Sequence, residues 1–249
     1  MAVEKRIVSW FSCGITSAVA TKMTIDKYKG RFPIVVAYCD TGSEHPDNKR
    51  FIKDCEKWFE LPITILKSEK FDTIYDVWDS TGWIAGIQGA RCSLVLKKLV
   101  RGEFEDLETD VQIFGFDAAE EKRAEKFKSN NPEVTVEFPL IDSKITKKEC
   151  AYLVSKAGID IPVMYKMGYK NNNCIGCVKG AKGYWNKIRV DFPDIFEKTS
   201  SYEQKYGTRL NIINIDGKPT RISLKDLSED AGNYKAEDII QCGLFCGEL

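Results

Sequence analysis

"RIVSWFSCGITSAVA", residues 6–20, decides the fold. It opens with an apolar run rich in β-branched and aromatic residues, passes through a turn of small residues, and continues into a segment that reads as a helix over 15–28. Small residues at a strand-to-helix turn let backbone N–H groups approach an anion closely, and the N-terminal end of the helix adds partial positive charge. The turn is therefore a candidate phosphate cradle. It is not a Walker A loop, because the Gly-Lys-Ser/Thr ending is missing, and it is not Gly-x-Gly-x-x-Gly.

The pattern repeats through the first half of the chain. Residues 33–39, 62–66, 110–116 and 134–138 read as further strands alongside 5–12, several of them apolar on consecutive positions, as strands buried on both faces are. Helices are predicted over about 46–60, 92–104, 117–128 and 146–157, the last with Thr146 as N-cap and Gly158 just past its end. Alternating strands and helices predict an α/β fold with a doubly wound, mostly parallel sheet, and such sheets bind ligands outside the carboxyl ends of their strands. After about residue 160 the strand signal fades, and 193–207 reads as helical. The expected organisation is a nucleotide-binding domain over 1–160 and a helical, cysteine-containing region over 161–249. Residues 103–110, "EFEDLETD", read as a solvated acidic face.

Composition bounds the function. The 249 residues carry 37 Lys+Arg and 37 Asp+Glu, so there is no global basic field for nucleic acid, and such a role has to rest on a local patch. No apolar run approaches a membrane span, and the N-terminus lacks a signal-peptide layout, so a cytoplasmic protein is expected. Nine cysteines in a reducing compartment point to metal binding, thiol chemistry or burial rather than a disulfide framework. The single histidine, His45, excludes His-rich metal sites.

Four stretches together resemble one family. "SCGITS" (12–17) resembles the PP-loop, Ser-Gly-Gly-x-Asp-Ser, of the ATP pyrophosphatases and phosphoadenylylsulfate (PAPS) reductases. "YCDTGSEHPDN" (38–48) resembles their Asp-Thr-Gly-x-x-x-Pro-Glu-Thr segment, "FGFDAAEEKRAEKF" (114–127) the later Gly…Glu…Arg segment, and "FPLIDSKITKKEC" (138–150) the Pro-Leu stretch before a late helix. The resemblance implies a PP-loop (adenine nucleotide alpha-hydrolase-like) fold that binds ATP with Mg²⁺. It implies nucleotide contacts at Ser12, Cys13, Gly14, Ile15, Thr16, Ser17, Asp40, Thr41, Gly42, Gly115 and Arg123, with Ser12, Thr16, Ser17 and Arg123 as the catalytic set. Arg123 suits a phosphate or sulfate. Thr16 departs from the pattern, since the usual loop residue is Asp; either Mg²⁺ is held another way or ATP turnover is weak. Cys13 replaces a Gly, and a small tolerated side chain is expected there.

The cysteines extend the resemblance. Cys174 and Cys177 form a C-x-x-C, which by itself suits half a zinc site, a redox pair or a pair of cluster ligands. Several thiolation enzymes and the adenylylsulfate reductases of the family hold a [4Fe-4S] cluster on an upstream cysteine plus a later C-x-x-C. By that likeness Cys92, Cys174, Cys177 and Cys246 are the expected ligands, with Cys242 the alternative fourth. Cys39, Cys55 and Cys150 lie in strand or helix patterns and are expected in the core. "RCSLVLKK" (91–98) also resembles the Cys-Thr-x-x-Leu-Lys stretch of DNA phosphorothioation enzymes of the Dnd or Ssp type.

Between Lys166 and Arg189 lie Lys166, Lys170, Lys179, Lys182, Lys187 and Arg189, with no acid and with Tyr165, Tyr169, Tyr184 and Trp185 among them. Lysines that track phosphates and aromatics that stack on bases make this the local candidate for nucleic acid. The expected function is an ATP pyrophosphatase that adenylates a nucleic-acid backbone for sulfur insertion, on DNA rather than RNA, with a cysteine desulfurase or other sulfur donor as partner. The helix-rich second half is a candidate surface for a homo-oligomer. The alternatives are a PAPS or adenylylsulfate reductase using Cys242, a tRNA thiolation enzyme, and a non-catalytic nucleotide sensor.

Overall fold

The computed structural model describes residues 5–86 and 89–240. All five predicted strands form, as β1 (Arg6–Trp10), β2 (Ile34–Cys39), β3 (Ile63–Leu66), β4 (Asp110–Phe114) and β5 (Val136–Glu137). They pair in the order β3-β2-β1-β4-β5, every pairing parallel. The first three strands step outward in one direction. The chain then returns to lay β4 on the other side of β1. That reversal, at the carboxyl ends of β1 and β4, is the switch point of a doubly wound sheet, the place where ligands of such sheets bind.

Local chemistry sets the register. At the start of the sheet, Arg6 makes a two-pronged ion pair with the buried carboxylate of Asp110, at 2.7 Å on each prong, and ties β1 to β4. Asp110 and Glu105, which accepts from Gln112 Nε2 at 2.7 Å, are therefore structural rather than part of a solvated acidic face. Ser9 Oγ and Thr21 Oγ1, 2.8 Å apart and both buried, tie β1 to α1 (Ile15–Tyr28). One core gathers Phe11, Val19, Val36 and Ile63 with Phe51 and Phe59 of α2 (Asn48–Phe59) and Val154 of the helix Lys147–Lys156. Phe114, Phe116, Phe127 and Phe138 make an aromatic cluster, with Phe116 stacked on Phe138 at 5.2 Å.

The chain divides into two compact units that interleave along the sequence. Among the described residues, the first comprises 5–40, His45–Lys67 and Val100–Asn172, and it contains the sheet. The second comprises Thr41–Glu44, 68–86, 89–99 and 173–240. Its core packs Ile74, Trp78, Ile84, Leu96, Cys174 and Val178. Its helix Ile74–Thr81 is joined to the helix Pro193–Tyr206 through Asp79, which accepts from Tyr202 Oη (2.6 Å), Tyr206 Oη (2.8 Å) and Lys205 Nζ (2.5 Å). These bonds, the one from Lys205 foremost, pull the Asp79 carboxyl down to about 2. Glu203, buried, accepts the amides of Leu210 (2.7 Å) and Leu224 (2.5 Å) and so anchors the hairpin Asn211–Ile215/Lys218–Ile222 at both ends. Among the described residues no helix is long and apolar enough to cross a membrane.

Gly115, directly after β4, meets the first turn of α1. A Cβ there would lie 2.5 Å from Ser17 Cα and 2.6 Å from Ser17 N, both backbone atoms that cannot swing aside. Gly115→Ala is expected to destabilise the fold by about 3 kcal/mol through this overpacking. Gly102→Ala, at a helical site with nothing within 4 Å of the new methyl, is expected to be neutral or stabilising. Urea unfolding of both variants checks the contrast.

Candidate functional site

The turn between β1 and α1 is organised by one hydroxyl. Gly14 is the N-cap residue, in extended conformation, and has no side chain with which to cap the helix. Ser17, in the first turn, does that work instead. Its Oγ accepts from the amides of Ser12 (3.1 Å) and Gly14 (3.3 Å), lies 3.1 Å from Ser12 Oγ, and donates to the Gly14 carbonyl (3.0 Å). Ser17 is buried, whereas Ser12 is exposed and Thr16 half-buried, so the latter two carry the hydroxyls on the open side of the turn. Cys13 has φ 58°, the left-handed region that favours glycine, which accounts for the glycine of the PP-loop pattern at this place. Its side chain is buried, with Sγ 3.7 Å from the Asn48 carbonyl.

Residues outside the expected set complete the loop. Asn172 Nδ2 donates to the Cys13 carbonyl and to Asn48 Oδ1, both at 2.7 Å. Tyr165 Oη lies 3.2 Å from where a Gly14 Cβ would be. Burial pushes the Tyr165 phenol up, well past its ordinary value. Lys147 Nζ stands 5.4 Å from the centre of the Tyr165 ring and donates to the Lys170 carbonyl and Asn171 Oδ1 at 2.5 Å each. Burial lowers the Lys147 ammonium, against an opposing pull from Glu120 and Asp117. The sequence signal for the asparagines was the run Asn171–Asn173; nothing in the spacing tied Tyr165 to residue 14.

The remaining expected residues fall into distinct settings. Gly115 packs on Ser17, so close approach of backbone is what it provides. Arg123 donates to Glu120 at 2.5 Å and stacks on Phe116, its Cζ 4.2 Å from the ring centre, so an anion reaching it competes with Glu120. Asp40 ends the β2 segment of the first unit and pairs with Lys67 at 2.9 Å. Thr41 and Gly42 belong to the second unit. Gly42 has φ +61°, and a Cβ there would lie 2.0 Å from the Asp72 carbonyl oxygen, so that turn requires glycine.

In the second unit, Thr41 Oγ1 lies 3.1 Å from Cys174 Sγ, and Cys174 Sγ lies 3.8 Å from Glu44 Oε1. Glu44 in turn accepts the Thr41 amide at 3.3 Å and stands 3.9 Å from Lys97 Nζ. The expected cluster ligands Cys92, Cys174 and Cys177 all lie in this unit and none is in a disulfide. Among the described residues no three His, Cys, Asp or Glu side chains converge to hold an ion. Cys174 faces Thr41 and Glu44, and the main chain at Cys177 is held by its amide bond to Tyr184 Oη at 2.9 Å. Cys242 and Cys246 lie outside the described residues. The same criterion finds no Mg²⁺ site at the loop among the described residues, where the uncharged Thr16 stands in place of the family's Asp.

The basic and aromatic stretch also differs from expectation. Tyr169, Tyr184 and Trp185 are 4%, 3% and 0% exposed, so they are core residues and offer no face for a base. Trp185 packs edge-on to Phe196 at 6.4 Å. Lys187 pairs with Asp191 at 2.8 Å, Arg189 caps the carbonyls of Leu224 and Leu227, and Lys166 pairs with Asp160 at 3.1 Å.

Residues 6–183 match the profile of the phosphoadenosine phosphosulfate reductase domain. An uncharacterized protein of Methanocaldococcus jannaschii is 25% identical over 228 residues, a match covering 84% of this chain and 44% of that protein, so the chain spans less than half the length of this relative. Among solved structures, the PAPS reductase of Candida auris in a phosphate complex is 13% identical with a TM-score of 0.49, the match covering 68% of this chain and 80% of that one. The U34-tRNA thiolase NcsA of Methanococcus maripaludis, with its [4Fe-4S] cluster, is 12% identical with a TM-score of 0.44, covering 82% and 73%.

Two expectations follow from this geometry. Ser17→Ala strips the partner from two amides of the turn and is expected to cost about 2 kcal/mol of stability, measured by urea unfolding. Burial raises the Cys55 thiol and pushes the Cys150 thiol up to about 12. Brief iodoacetamide treatment of native protein at neutral pH, mapped by mass spectrometry, should therefore modify the half-buried Cys92 and spare Cys55 and Cys150.

Proposed function

The chain belongs to the phosphoadenosine phosphosulfate reductase domain family, and from that premise we propose that it is an ATP pyrophosphatase of sulfur transfer that holds the phosphates of an adenine nucleotide at residues 12–17. The observation that carries the reading is the turn itself. It sets the N-terminus of a 14-residue helix directly after the central strand β1, at the switch point of the sheet, with the exposed Ser12 and half-buried Thr16 carrying hydroxyls there. An acceptor oxygen would attack the α-phosphorus, the bond to the β-phosphate would break, and pyrophosphate would leave. The terminal sulfur of a persulfide on a donor such as a cysteine desulfurase would then attack the adenylated phosphorus, AMP would leave with the bridging oxygen, and a second thiol would reduce the remaining S–S bond to release the donor. In this scheme the loop amides and the Ser12 and Thr16 hydroxyls stabilise charge on the phosphates, with Arg123 joining them if it leaves Glu120.

For the acceptor we favour a nucleic-acid backbone, as in DNA phosphorothioation. The support is the likeness of "RCSLVLKK" (91–98) to the stretch found in those enzymes. The buried Tyr169, Tyr184 and Trp185 lend nothing to that choice. A second reading, reduction of an adenylylated sulfate, is favoured by the matched domain's own description, with Cys242 as the thiol.

Pyrophosphate release separates the two. Protein incubated with ATP, Mg²⁺ and DNA is expected to release pyrophosphate faster than without DNA, and Cys242→Ser is expected to leave that release largely intact. Consumption of adenylylated sulfate with no pyrophosphate from ATP, lost on Cys242→Ser, would establish the reductase instead.

A further inference from the structure

We propose that the hairpin Asn211–Ile215/Lys218–Ile222 is a ribbon that binds double-stranded DNA, its outer face entering the major groove and its flanking cations holding the phosphates. The inference rests on the reading of a DNA backbone as the acceptor and gives that acceptor a surface on this chain.

The hairpin has one covered face and one open face. Opposite residues of an antiparallel ladder share a face, and the faces alternate along each strand. Ile212 pairs with Arg221 and Asn214 with Pro219, so these four share a face, and all four are exposed. On the other face the buried Asn211 pairs with Ile222, and Ile213 pairs with Thr220, the last three being half-buried. The ribbon is also braced. Glu203 takes the amides of Leu210 and Leu224 at its foot, and Asp216 and Gly217 close its tip with positive φ. Across the foot, Arg209 Nη1 donates to the Arg221 carbonyl (3.4 Å) and Arg221 Nη1 to the Arg209 carbonyl (3.1 Å). One N–H of each guanidinium thus fixes its direction and the rest of the fork stays open to solvent.

Charge selects the occupant. Arg209, Lys218, Arg221 and Lys225 are all exposed, and the one acid within 209–225 is Asp216. Asp226, next in the chain, accepts from Ser223 Oγ at 2.7 Å. Among the described residues none of the four cations makes an ion pair with an acid. Open cations at the foot, the tip and the outer face of one braced ribbon suit a polyanion whose charges are spread along a line. The shape narrows this to DNA. The major groove of B-DNA admits a two-stranded ribbon, whereas that of A-form RNA is too deep and narrow for side chains to read. The outer face carries matching chemistry: the Arg221 guanidinium suits the acceptor edge of guanine, the Asn214 carboxamide that of adenine, and Ile212, 48% exposed, the methyl group of thymine.

The test measures binding of a short labelled DNA duplex of mixed sequence to the full chain by fluorescence anisotropy, without nucleotide. In the double variant Lys218→Gln/Lys225→Gln the dissociation constant is expected to rise about tenfold, and its log–log dependence on salt to flatten by about 2, one for each lost phosphate contact. Both side chains are exposed, so the melting temperature is expected to stay that of the wild type. Lys148→Gln/Lys156→Gln, which removes two exposed lysines of the helix Lys147–Lys156, is expected to change neither quantity. An RNA duplex of the same sequence is expected to compete poorly. Equal weakening by both pairs of substitutions would reduce binding to net charge, and equal competition by the RNA duplex would remove the groove; either overturns the proposal. Wild-type protein that binds no duplex would overturn this proposal and the DNA-acceptor reading together. DNA-stimulated pyrophosphate release accompanied by duplex binding that Lys218→Gln/Lys225→Gln leaves unchanged would overturn the ribbon alone.

Discussion

The turn from β1 into α1 has to reverse the chain within four residues, and Ser17 Oγ makes this feasible. By accepting from Ser12 and Gly14 and donating to the Gly14 carbonyl, it supplies the cap that a glycine N-cap cannot. Because the turn is this tight, the strand beside β1 must also deliver its next residue against the same helical turn, and only a residue without Cβ fits there. Gly115 is that residue. The switch point, the position of α1 and the exposed hydroxyls of the loop all follow from one small contact between Gly115 and Ser17.

Much of the fold was legible because parallel strands buried on both faces write themselves as continuous apolar runs. Ile34–Cys39 is such a run, and it became an interior strand beside β1. The helix Ile74–Thr81 was passed over although it carries its own punctuation: Thr73 and Asp76 form a reciprocal capping box, and Gly82 ends it in the left-handed region. The hairpin 211–222 had a signal too, since Asp216 and Gly217 both take positive φ, as a two-residue hairpin turn demands. Both segments lie in the unit whose elements come from separated parts of the chain, and spacing along a sequence does not report which distant segments will share a core.

The same limit explains the site. Residues 12–17 and Gly115 were readable because each sits at a strand end of a recognisable pattern. Tyr165 and Asn172 were not, because they reach the loop by tertiary folding, from about 150 residues away in the chain. Tyr169, Tyr184 and Trp185 illustrate the opposite error. Interleaving with lysines gave them the look of a stacking surface, but their rings fill the interior, and the cations around them pair with Asp191 and with backbone carbonyls. For the cysteines, the C-x-x-C spacing is compatible with a metal, yet Cys174 faces the hydroxyl of Thr41 and the carboxylate of Glu44, and that arrangement was invisible until Thr41–Glu44 was seen to fold with the segment after Asn173.

The central claim is that residues 12–17 bind the phosphates of a nucleotide. The most direct measurement is a titration of isotopically labelled protein with ATP, following backbone amide resonances. The account predicts saturable shifts for Gly14, Ile15 and Thr16 that inorganic pyrophosphate reproduces and adenosine does not. Shifts that adenosine reproduces, or ATP-induced shifts that leave these three amides unmoved, would contradict it.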